Sequence, residues 1–328
     1  MSNSASLHVV DRLIAGHRIP EAISALAAAA DRQDPEALFR LGFWQVVGDI
    51  LPRDLAAARV AIGNAASLGH HEAQMMQIAL TANGSGAPAD WKAARLLLEA
   101  TSEDNYRARE VLGLIRDMSL KDDGSPAQAL AAEPLSRDST LSRVSAFLTP
   151  LECQHLMHSA ADLLTPALVI DPRTGRKILN PVRTSDTASI GPLREDLAIR
   201  AINLRIAALS GSSVFAGEAL TILRYQFNQQ FRLHSDILSS SNNQRVKTVI
   251  IYLNDDFGGG QTVFPNIGIG ILPKAGDAII FSNTYPDGRT NTDSNHAGLP
   301  VLKGSKWIAT RWIREKPFNV WKGPERVK

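Results

Sequence analysis

Three residues in the C-terminal half of the chain have the types and spacing of a metal site. His234 and Asp236 lie two positions apart, and His296 follows about sixty residues later. His-x-Asp with a distant second His is the sequence form of the 2-His-1-carboxylate facial triad, which binds non-haem Fe(II) and leaves coordination positions open. The segment FRLHSDIL predicts a strand, on which residues two apart point to the same face and could bind one ion. The alternative is a solvated His–Asp pair near the end of a strand.

A lysine ten residues beyond His296 is the second candidate for chemistry. Alternation in KWIATRWI predicts a strand with four side chains on one face: Lys306, Ile308, Thr310 and Trp312. A lysine on an inward face is costly to bury unless an anion meets it, and a cosubstrate carboxylate would be such an anion. The alternative is a lysine at a sheet edge whose ammonium reaches solvent.

Four blocks of sequence around these residues carry a family resemblance. In order, they read ALTILRYQFNQQFRLHSD, RVKTVIIYLNDDFGGGQTVFP, PKAGDAIIFSN and HAGLPVLKGSKWIATRWIRE. This series resembles the catalytic domain of the prolyl 4-hydroxylases, which are Fe(II)/2-oxoglutarate-dependent dioxygenases. The resemblance covers roughly residues 145–316. It implies a double-stranded β-helix, or jelly roll, with the iron inside its open end.

The resemblance implies a role for each candidate in the metal and cosubstrate site. The iron ligands would be His234, Asp236 and His296. Lys306 would bind the C5 carboxylate of 2-oxoglutarate, helped by the hydroxyls of Tyr225 and Thr262. The implied cofactor is Fe(II), with 2-oxoglutarate and O2 as cosubstrates, and the family also admits ascorbate as an additional cofactor.

The substrate side of the site is less fully specified. The resemblance implies that Trp312 lines the pocket and that Arg183 and Arg245 contact a peptide, although both arginines could be ordinary surface charges. The predicted reaction is hydroxylation of a peptidyl residue, with proline as the favoured target and with succinate and CO2 as coproducts. Two alternatives stay open. One is a dioxygenase of the same fold that acts on a free amino acid, another side chain or a peptide natural product; the other is a repeat-based interaction protein with an inactive oxygenase scaffold.

Two positions depart from the family pattern. Asn228 and Phe231 stand where the family often has Gly and Tyr. Because Asn tolerates a left-handed backbone, the turn at Asn228 is expected to survive. The short, polar stretch ILSSSNNQ replaces a mobile lid, which leaves the peptide specificity open.

The first 120 residues are rich in Ala and Leu and contain an internal repeat. The segments DPEALFRLG, HHEAQMMQI and NYRAREVLG align on Ala37, Ala73 and Ala108, and Asp54 aligns with Asp90. A period of about 36 residues predicts paired antiparallel helices of a solenoid. The pattern resembles Sel1-like repeats. These repeats could recruit a substrate or serve as a helical spacer.

The order of elements predicts an α+β fold in which a short all-α helical-repeat domain precedes the jelly-roll domain. The predicted divisions are repeats over 1–120, a Pro- and Gly-containing linker over 121–141, and the dioxygenase domain over 142–328. Thr149 and Glu152 predict a capping box at the first helix of that domain, and Gly211 predicts the end of the second. Gly258 to Gly260 are expected to form a tight turn.

The composition narrows the classes of partner. The net charge is +2 and no Lys/Arg-rich block is present, so nucleic acid is not indicated. No apolar run approaches the roughly 20 residues of a membrane span. The single cysteine, Cys153, cannot form an internal disulfide, and the N-terminus lacks a signal-peptide pattern. These features predict a cytoplasmic protein without a membrane partner, which acts on a peptide or protein.

Overall fold

The computed structural model describes residues 3–170, 177–239 and 241–322. The chain forms two compact units, one of residues 1–124 with 192–200 and one of residues 125–191 with 201–328. No helix in these described ranges is long and apolar enough to cross a membrane.

The N-terminal unit is built from antiparallel helices of similar length. They are α1 (Asn3–Ala15), α2 (Ile19–Asp31), α3 (Pro35–Val47), α4 (Leu55–Ser67), α5 (His71–Asn83), α6 (Trp91–Thr101) and α7 (Tyr106–Asp117). Helices α2, α4 and α6 begin 36 residues apart, and α3, α5 and α7 begin 36 and 35 residues apart. The predicted helical pairs and their period are therefore confirmed.

Local sequence explains where these helices begin and why they pack closely. Asp34, Asp54 and Asp90 each accept hydrogen bonds from backbone N–H groups of the first turn of the helix that follows. Ala37 of α3 is fully buried, and a Cβ placed on Gly42 would lie 2.7 Å from Ile62 of α4. Small residues thus let α3 and α4 approach each other closely.

The second unit combines helix α8 (Pro150–Ala160) and helix α9 (Leu197–Ser210) from residue 201 onward with antiparallel strands. The strands are β1 (Glu133–Pro134), β2 (Leu141–Val144), β3 (Thr165–Pro166), β4 (Leu168–Ile170), β5 (Lys177–Leu179), β6 (Asp186–Ile190), β7 (Leu220–Tyr225), β8 (Phe231–His234), β9 (Arg245–Tyr252), β10 (Gly258–Gly259), β11 (Thr262–Phe264), β12 (Ile269–Ile271), β13 (Ala278–Ser282), β14 (His296–Gly298), β15 (Val301–Lys303) and β16 (Lys306–Arg314).

Two sheets face each other in this unit, as the jelly-roll prediction requires. The larger sheet has the order β1-β2-β13-β9-β16-β7-β6-β3, and the smaller has the order β12-β11-β14-β8. Leu223, Tyr252 and Ile308 of the larger sheet pack with Phe264 and Ile271 of the smaller one in a single buried cluster. The fold is therefore α+β with a jelly-roll catalytic unit, as predicted.

Several local predictions are also confirmed. Thr149 and Glu152 form the capping box at the start of α8. Gly211 ends α9 with a φ of +63°, and Asn228 holds its turn with a φ of 62°. The left-handed backbone costs an asparagine less than it costs most other residues, which explains why the turn survives without glycine.

Other local predictions differ from the structure. Gly258 and Gly259 form the short strand β10, paired with β15, instead of a simple tight turn. Glu133–Pro134 pairs with β2, so the last part of the predicted linker joins the larger sheet. Both differences arise from backbone pairing with another strand: β10 pairs with β15, which is about forty residues further along the chain, and Glu133–Pro134 pairs with the nearby β2.

Candidate functional site

The three predicted metal-ligating residues meet at one point of the jelly roll. His234 ends β8 and lies directly opposite His296, the first residue of the antiparallel neighbour β14. One possible ligand atom from each of His234, Asp236 and His296 lies within 4.8 Å of the other two. Sheet pairing between distant segments thus brings together the residues that are about sixty positions apart in sequence.

The way in which Asp236 joins this group differs from the prediction. Strand β8 ends at His234, so His234 and Asp236 are not neighbours on one face of a strand. Leu233, the residue before His234, is 56% exposed. Asp236 lies in the following loop, where Thr248 of β9 donates a hydrogen bond of 2.7 Å to its Oδ2. Its other oxygen, Oδ1, faces Nε2 of His234 at 3.7 Å. A bond to the larger sheet, not strand alternation, places this carboxylate.

Both imidazoles are oriented by backbone carbonyl groups. Nδ1 of His234 lies 2.8 Å from the carbonyl oxygen of Arg232, and Nδ1 of His296 lies 3.0 Å from that of Ser294. A carbonyl only accepts hydrogen bonds, so each Nδ1 carries the proton and each Nε2 keeps a free lone pair. Both histidines therefore present Nε2 as a ligand atom.

The electrostatics of the group fit a divalent cation. Burial, reinforced by repulsion from His296, lowers the pKa of His234. Burial opposes ionisation of Asp236, but the two imidazoles hold its pKa below the ordinary value. Nε2 of His234 is buried and has no hydrogen-bond partner among the described atoms. Two imidazoles, one carboxylate and an unsatisfied buried nitrogen are a donor set suited to Fe(II).

An open pocket lies beside these three residues and extends to Lys306. Lys306, Ile308, Thr310 and Trp312 all line it, which confirms that they share one face of β16. Lys306 is 3% exposed, and its Nζ donates to the carbonyl oxygen of Gly260 at 2.7 Å. Burial alone lowers its pKa to about 7, and no acidic side chain in the described ranges forms an ion pair with it. The pocket therefore holds a buried ammonium group that lacks an anion.

The hydroxyls predicted to help Lys306 differ in their surroundings. Thr262 Oγ1 lies 3.4 Å from Nζ of Lys306 and accepts a hydrogen bond of 2.9 Å from the hydroxyl of Tyr252. Tyr225 lies directly opposite Lys306 on the neighbouring strand and lines the pocket. Burial raises the pKa of Tyr225 to about 12, so its hydroxyl keeps its proton.

Sequence analysis missed Tyr252. It is fully buried and shares the inward face of β9 with Thr248 and Ile250, at every second position. The strand alternation was visible in KTVIIY, but nothing in the sequence indicated that the hydroxyl of Tyr252 contacts Thr262. Tyr252 lies on β9 of the larger sheet and Thr262 on β11 of the smaller one, so only the packing of the two sheets makes the contact apparent.

The two arginines predicted to contact substrate have different environments. Arg245 donates to both carboxylate oxygens of Glu218, at 2.6 and 2.8 Å, and its guanidinium lies 4.1 Å from the ring centre of Trp312. Glu218 also binds Arg314 at 2.6 Å. Arg245 thus supports the wall of the pocket beside Trp312, and its contact with a substrate peptide stays a prediction. Sequence analysis did not find Glu218.

Arg183 retains the features of a residue that could bind a ligand. Its guanidinium lies 5.5 Å from the ring centre of Phe231, which stacks on His234. Its Nε is buried without a hydrogen-bond partner in the described part of the chain, and so is Nε1 of Trp312. Two unsatisfied donors next to the pocket fit a ligand that brings acceptor atoms.

Comparison with known proteins adds independent findings. Residues 220–314 match a family model described as the 2OG-Fe(II) oxygenase superfamily. Prolyl 4-hydroxylase 1 of Arabidopsis thaliana is 35% identical over 189 residues, which cover 52% of this chain and 67% of the plant protein. Prolyl 4-hydroxylase 5 of the same plant is 34% identical over 198 residues, which cover 53% and 68%.

Solved structures resemble each part of the chain more distantly. A viral collagen prolyl hydroxylase from Paramecium bursaria Chlorella virus-1, solved with 2OG, is 27% identical with a TM-score of 0.44 and covers 53% of this chain and 96% of its own. A Sel1 repeat protein from Oxalobacter formigenes is 26% identical with a TM-score of 0.32 and covers 34% and 88%.

Proposed function

Because the chain belongs to the prolyl 4-hydroxylase family of Fe(II)/2-oxoglutarate-dependent dioxygenases, we propose that it hydroxylates a prolyl residue in a peptide or protein. The reaction consumes 2-oxoglutarate and O2 and yields hydroxylated substrate, succinate and CO2. The observation that carries the proposal is that one open pocket joins the group of His234, Asp236 and His296 to the anion-free ammonium group of Lys306.

In this proposal, His234, Asp236 and His296 hold the iron through Nε2, Oδ1 and Nε2. Bound Fe(II), with electrons from 2-oxoglutarate, supplies the activation of O2 that attack on an unactivated C–H bond requires. Three protein ligands of these types would leave coordination positions open for the cosubstrates.

Lys306 would bind the remote carboxylate of 2-oxoglutarate and thereby set its orientation. The ammonium group lies in a buried site, where pairing with an anion is far stronger than in water. Tyr252 donates to Thr262, so the hydroxyl proton of Thr262 is free to point into the pocket and donate to the same carboxylate. Tyr225 and the apolar side chains of Ile250 and Ile308 would exclude water from that end.

The substrate peptide would enter at the open mouth of the pocket, between Trp312 and Arg183. Among the described residues, Nε1 of Trp312 and Nε of Arg183 are two buried donors without hydrogen-bond partners, and backbone carbonyls of a peptide would supply acceptors. The relatives named prolyl 4-hydroxylases support proline as the target residue.

The experiment is a turnover assay with paired peptides. Fe(II)-loaded protein is mixed with 2-oxoglutarate, O2 and either a proline-rich peptide or the same peptide with every proline replaced by alanine. We expect succinate formation stimulated by the first peptide alone, with a mass gain of one oxygen located on proline. Succinate that no proline peptide stimulates would reject proline as the target and leave the dioxygenase in place. The same assay with and without ascorbate tests whether ascorbate acts as an additional cofactor.

A further inference from the structure

Two fully buried polar residues behind Asp236 form a short hydrogen-bonded chain. Thr248 lies on β9 and Asn283 follows β13, and both side chains are inaccessible to solvent. Nδ2 of Asn283 donates to Oγ1 of Thr248 at 2.9 Å, and Thr248 donates to Oδ2 of Asp236 at 2.7 Å. The pocket lining includes Asp236 but neither Thr248 nor Asn283.

The chemistry of the three groups fixes the direction of this chain. An ionised carboxylate only accepts hydrogen bonds and an amide NH2 only donates, whereas a hydroxyl has one proton to give. Because Asn283 fills an acceptor site on Thr248, the single proton of the Thr248 hydroxyl is directed to Asp236. A hydrogen bond from a neutral donor to a buried carboxylate is strong, because one partner is charged.

The hydrogen bond from Thr248 gives the two carboxylate oxygens of Asp236 different surroundings. Oδ2 is held by Thr248, whereas Oδ1 faces Nε2 of His234 at 3.7 Å. Rotation of the carboxylate to bring Oδ2 toward the same point would break the bond to Thr248 inside a water-free region, where an unsatisfied polar group is expensive.

We propose that the Asn283–Thr248 pair is a positioning device that restricts Asp236 to one metal-binding oxygen. A carboxylate that bound through both oxygens would take a coordination position that 2-oxoglutarate or O2 needs. The proposal rests on the proposed metal site formed by His234, Asp236 and His296.

The same device extends to the second histidine. The backbone N–H of Asn291 donates to the carbonyl oxygen of Asn283 at 2.8 Å, and Ser294 donates through its Oγ to the carbonyl oxygen of Asn291 at 2.7 Å. The carbonyl oxygen of Ser294 in turn orients His296. One segment, residues 283–294, therefore helps to orient both a carboxylate and an imidazole of the metal group through its buried residues Asn283, Asn291 and Ser294.

The test compares Thr248→Val with Thr248→Ser in the full-length protein. Valine keeps the shape of threonine but removes the hydroxyl, and serine keeps the hydroxyl. Each variant is loaded with Co(II) under anaerobic conditions, and 2-oxoglutarate binding is measured by calorimetry. We expect Thr248→Val to weaken 2-oxoglutarate binding by roughly 10-fold or more, as loss of a group that orients a metal ligand usually does. Thr248→Ser should stay within about twofold, since the orienting hydroxyl remains.

An infrared measurement reports the carboxylate directly and does not depend on activity. With ¹³C-labelled aspartate, the separation of the symmetric and antisymmetric carboxylate stretches in the Co(II) form should narrow in Thr248→Val, as a second oxygen approaches the metal. Unchanged separation and unchanged 2-oxoglutarate affinity in Thr248→Val would overturn the proposal.

Two further variants keep the result interpretable. Circular dichroism tests the fold of Thr248→Val. If that variant does not fold, Asn283→Ala, which frees the Thr248 hydroxyl to rotate, should shift the 2-oxoglutarate affinity and the carboxylate stretches in the same direction. No shift in Asn283→Ala would then reject the positioning device. Asp236→Ala should lose Co(II) binding. Retained Co(II) affinity in Asp236→Ala would reject the metal site itself, which is a different failure from that of the positioning device.

Discussion

The buried ammonium group of Lys306 predicts that the affinity for 2-oxoglutarate depends on pH in a specific way. Burial lowers the pKa of Lys306 to about 7 in the ligand-free protein. Only the charged form attracts a carboxylate, and the bound carboxylate in turn stabilises that form. We therefore expect the cosubstrate to bind more weakly as the pH rises above 7, while the wild-type protein remains folded.

The magnitude follows from the fraction of Lys306 that is charged. If the bound carboxylate restores an ordinary lysine pKa, the dissociation constant is inversely proportional to the fraction of charged lysine in the free protein, which falls from about 1/2 at pH 7 to about 1/100 at pH 9. From pH 7 to pH 9 that fraction implies binding weaker by about 50-fold, or about 2.3 kcal/mol. Below pH 6, where the lysine is charged before binding, the constant should level off.

The assay is calorimetric titration of 2-oxoglutarate into metal-loaded protein between pH 6 and pH 9, with Lys306→Arg as the matched control. Arginine keeps its charge throughout this range, so its curve contains only the pH dependence of metal chelation. The ratio of the two dissociation constants isolates the lysine. Parallel curves for wild type and Lys306→Arg would refute the reasoning that Lys306 titrates near pH 7 and meets the cosubstrate carboxylate.

Three further predictions concern stability and the pocket wall. The unfolded chain binds the Lys306 proton more tightly than the folded chain does. Above pH 7, the free energy of unfolding of the ligand-free protein should therefore rise relative to that of Lys306→Met, by up to about 1.4 kcal/mol per pH unit, in denaturant titrations. A difference in unfolding free energy that does not change with pH would contradict this. Glu218→Gln should lower the free energy of unfolding by roughly 3 kcal/mol and raise KM for peptide, because Arg245 and Arg314 lose their carboxylate. An unaltered KM would remove Arg245 as support for Trp312. Asn228→Val should cost about 1–2 kcal/mol at its φ of 62°, whereas Asn228→Gly should cost nothing, as thermal melts would show.

Much of the fold could be predicted from local patterns. The 36-residue spacing of α2, α4 and α6 was visible in the sequence because each repeat needs the same small residues at the same contacts. The inward face of β16 was predictable because strand side chains alternate, and the pocket lining confirms it. The capping box at Thr149 was predictable because it depends only on two residues that are three positions apart.

The features that sequence analysis missed depend on contacts between distant segments. Asp236 is placed by Thr248, and Thr248 is oriented by Asn283, which is 35 residues further along. Glu218 meets Arg314 across 96 residues. Neither a period nor a motif reports such pairs, because the strand register that creates them is set by the packing of both sheets.

Recruitment of the substrate by the helical repeats stays a prediction. If they recruit the substrate, changes on their surface should raise KM for a substrate protein and leave KM for a short peptide unchanged. Equal effects on both substrates would exclude recruitment.

The most direct test of the proposed metal and cosubstrate site is an anaerobic titration of 2-oxoglutarate into Fe(II)-loaded protein, in which the visible absorption of the iron chelate is measured. We expect one 2-oxoglutarate to bind per chain in the wild type. Lys306→Met should reach the same final absorption at weaker affinity, and His234→Ala should show no absorption. Full absorption in His234→Ala, or wild-type affinity in Lys306→Met, would contradict the claim that these residues hold the metal and its cosubstrate.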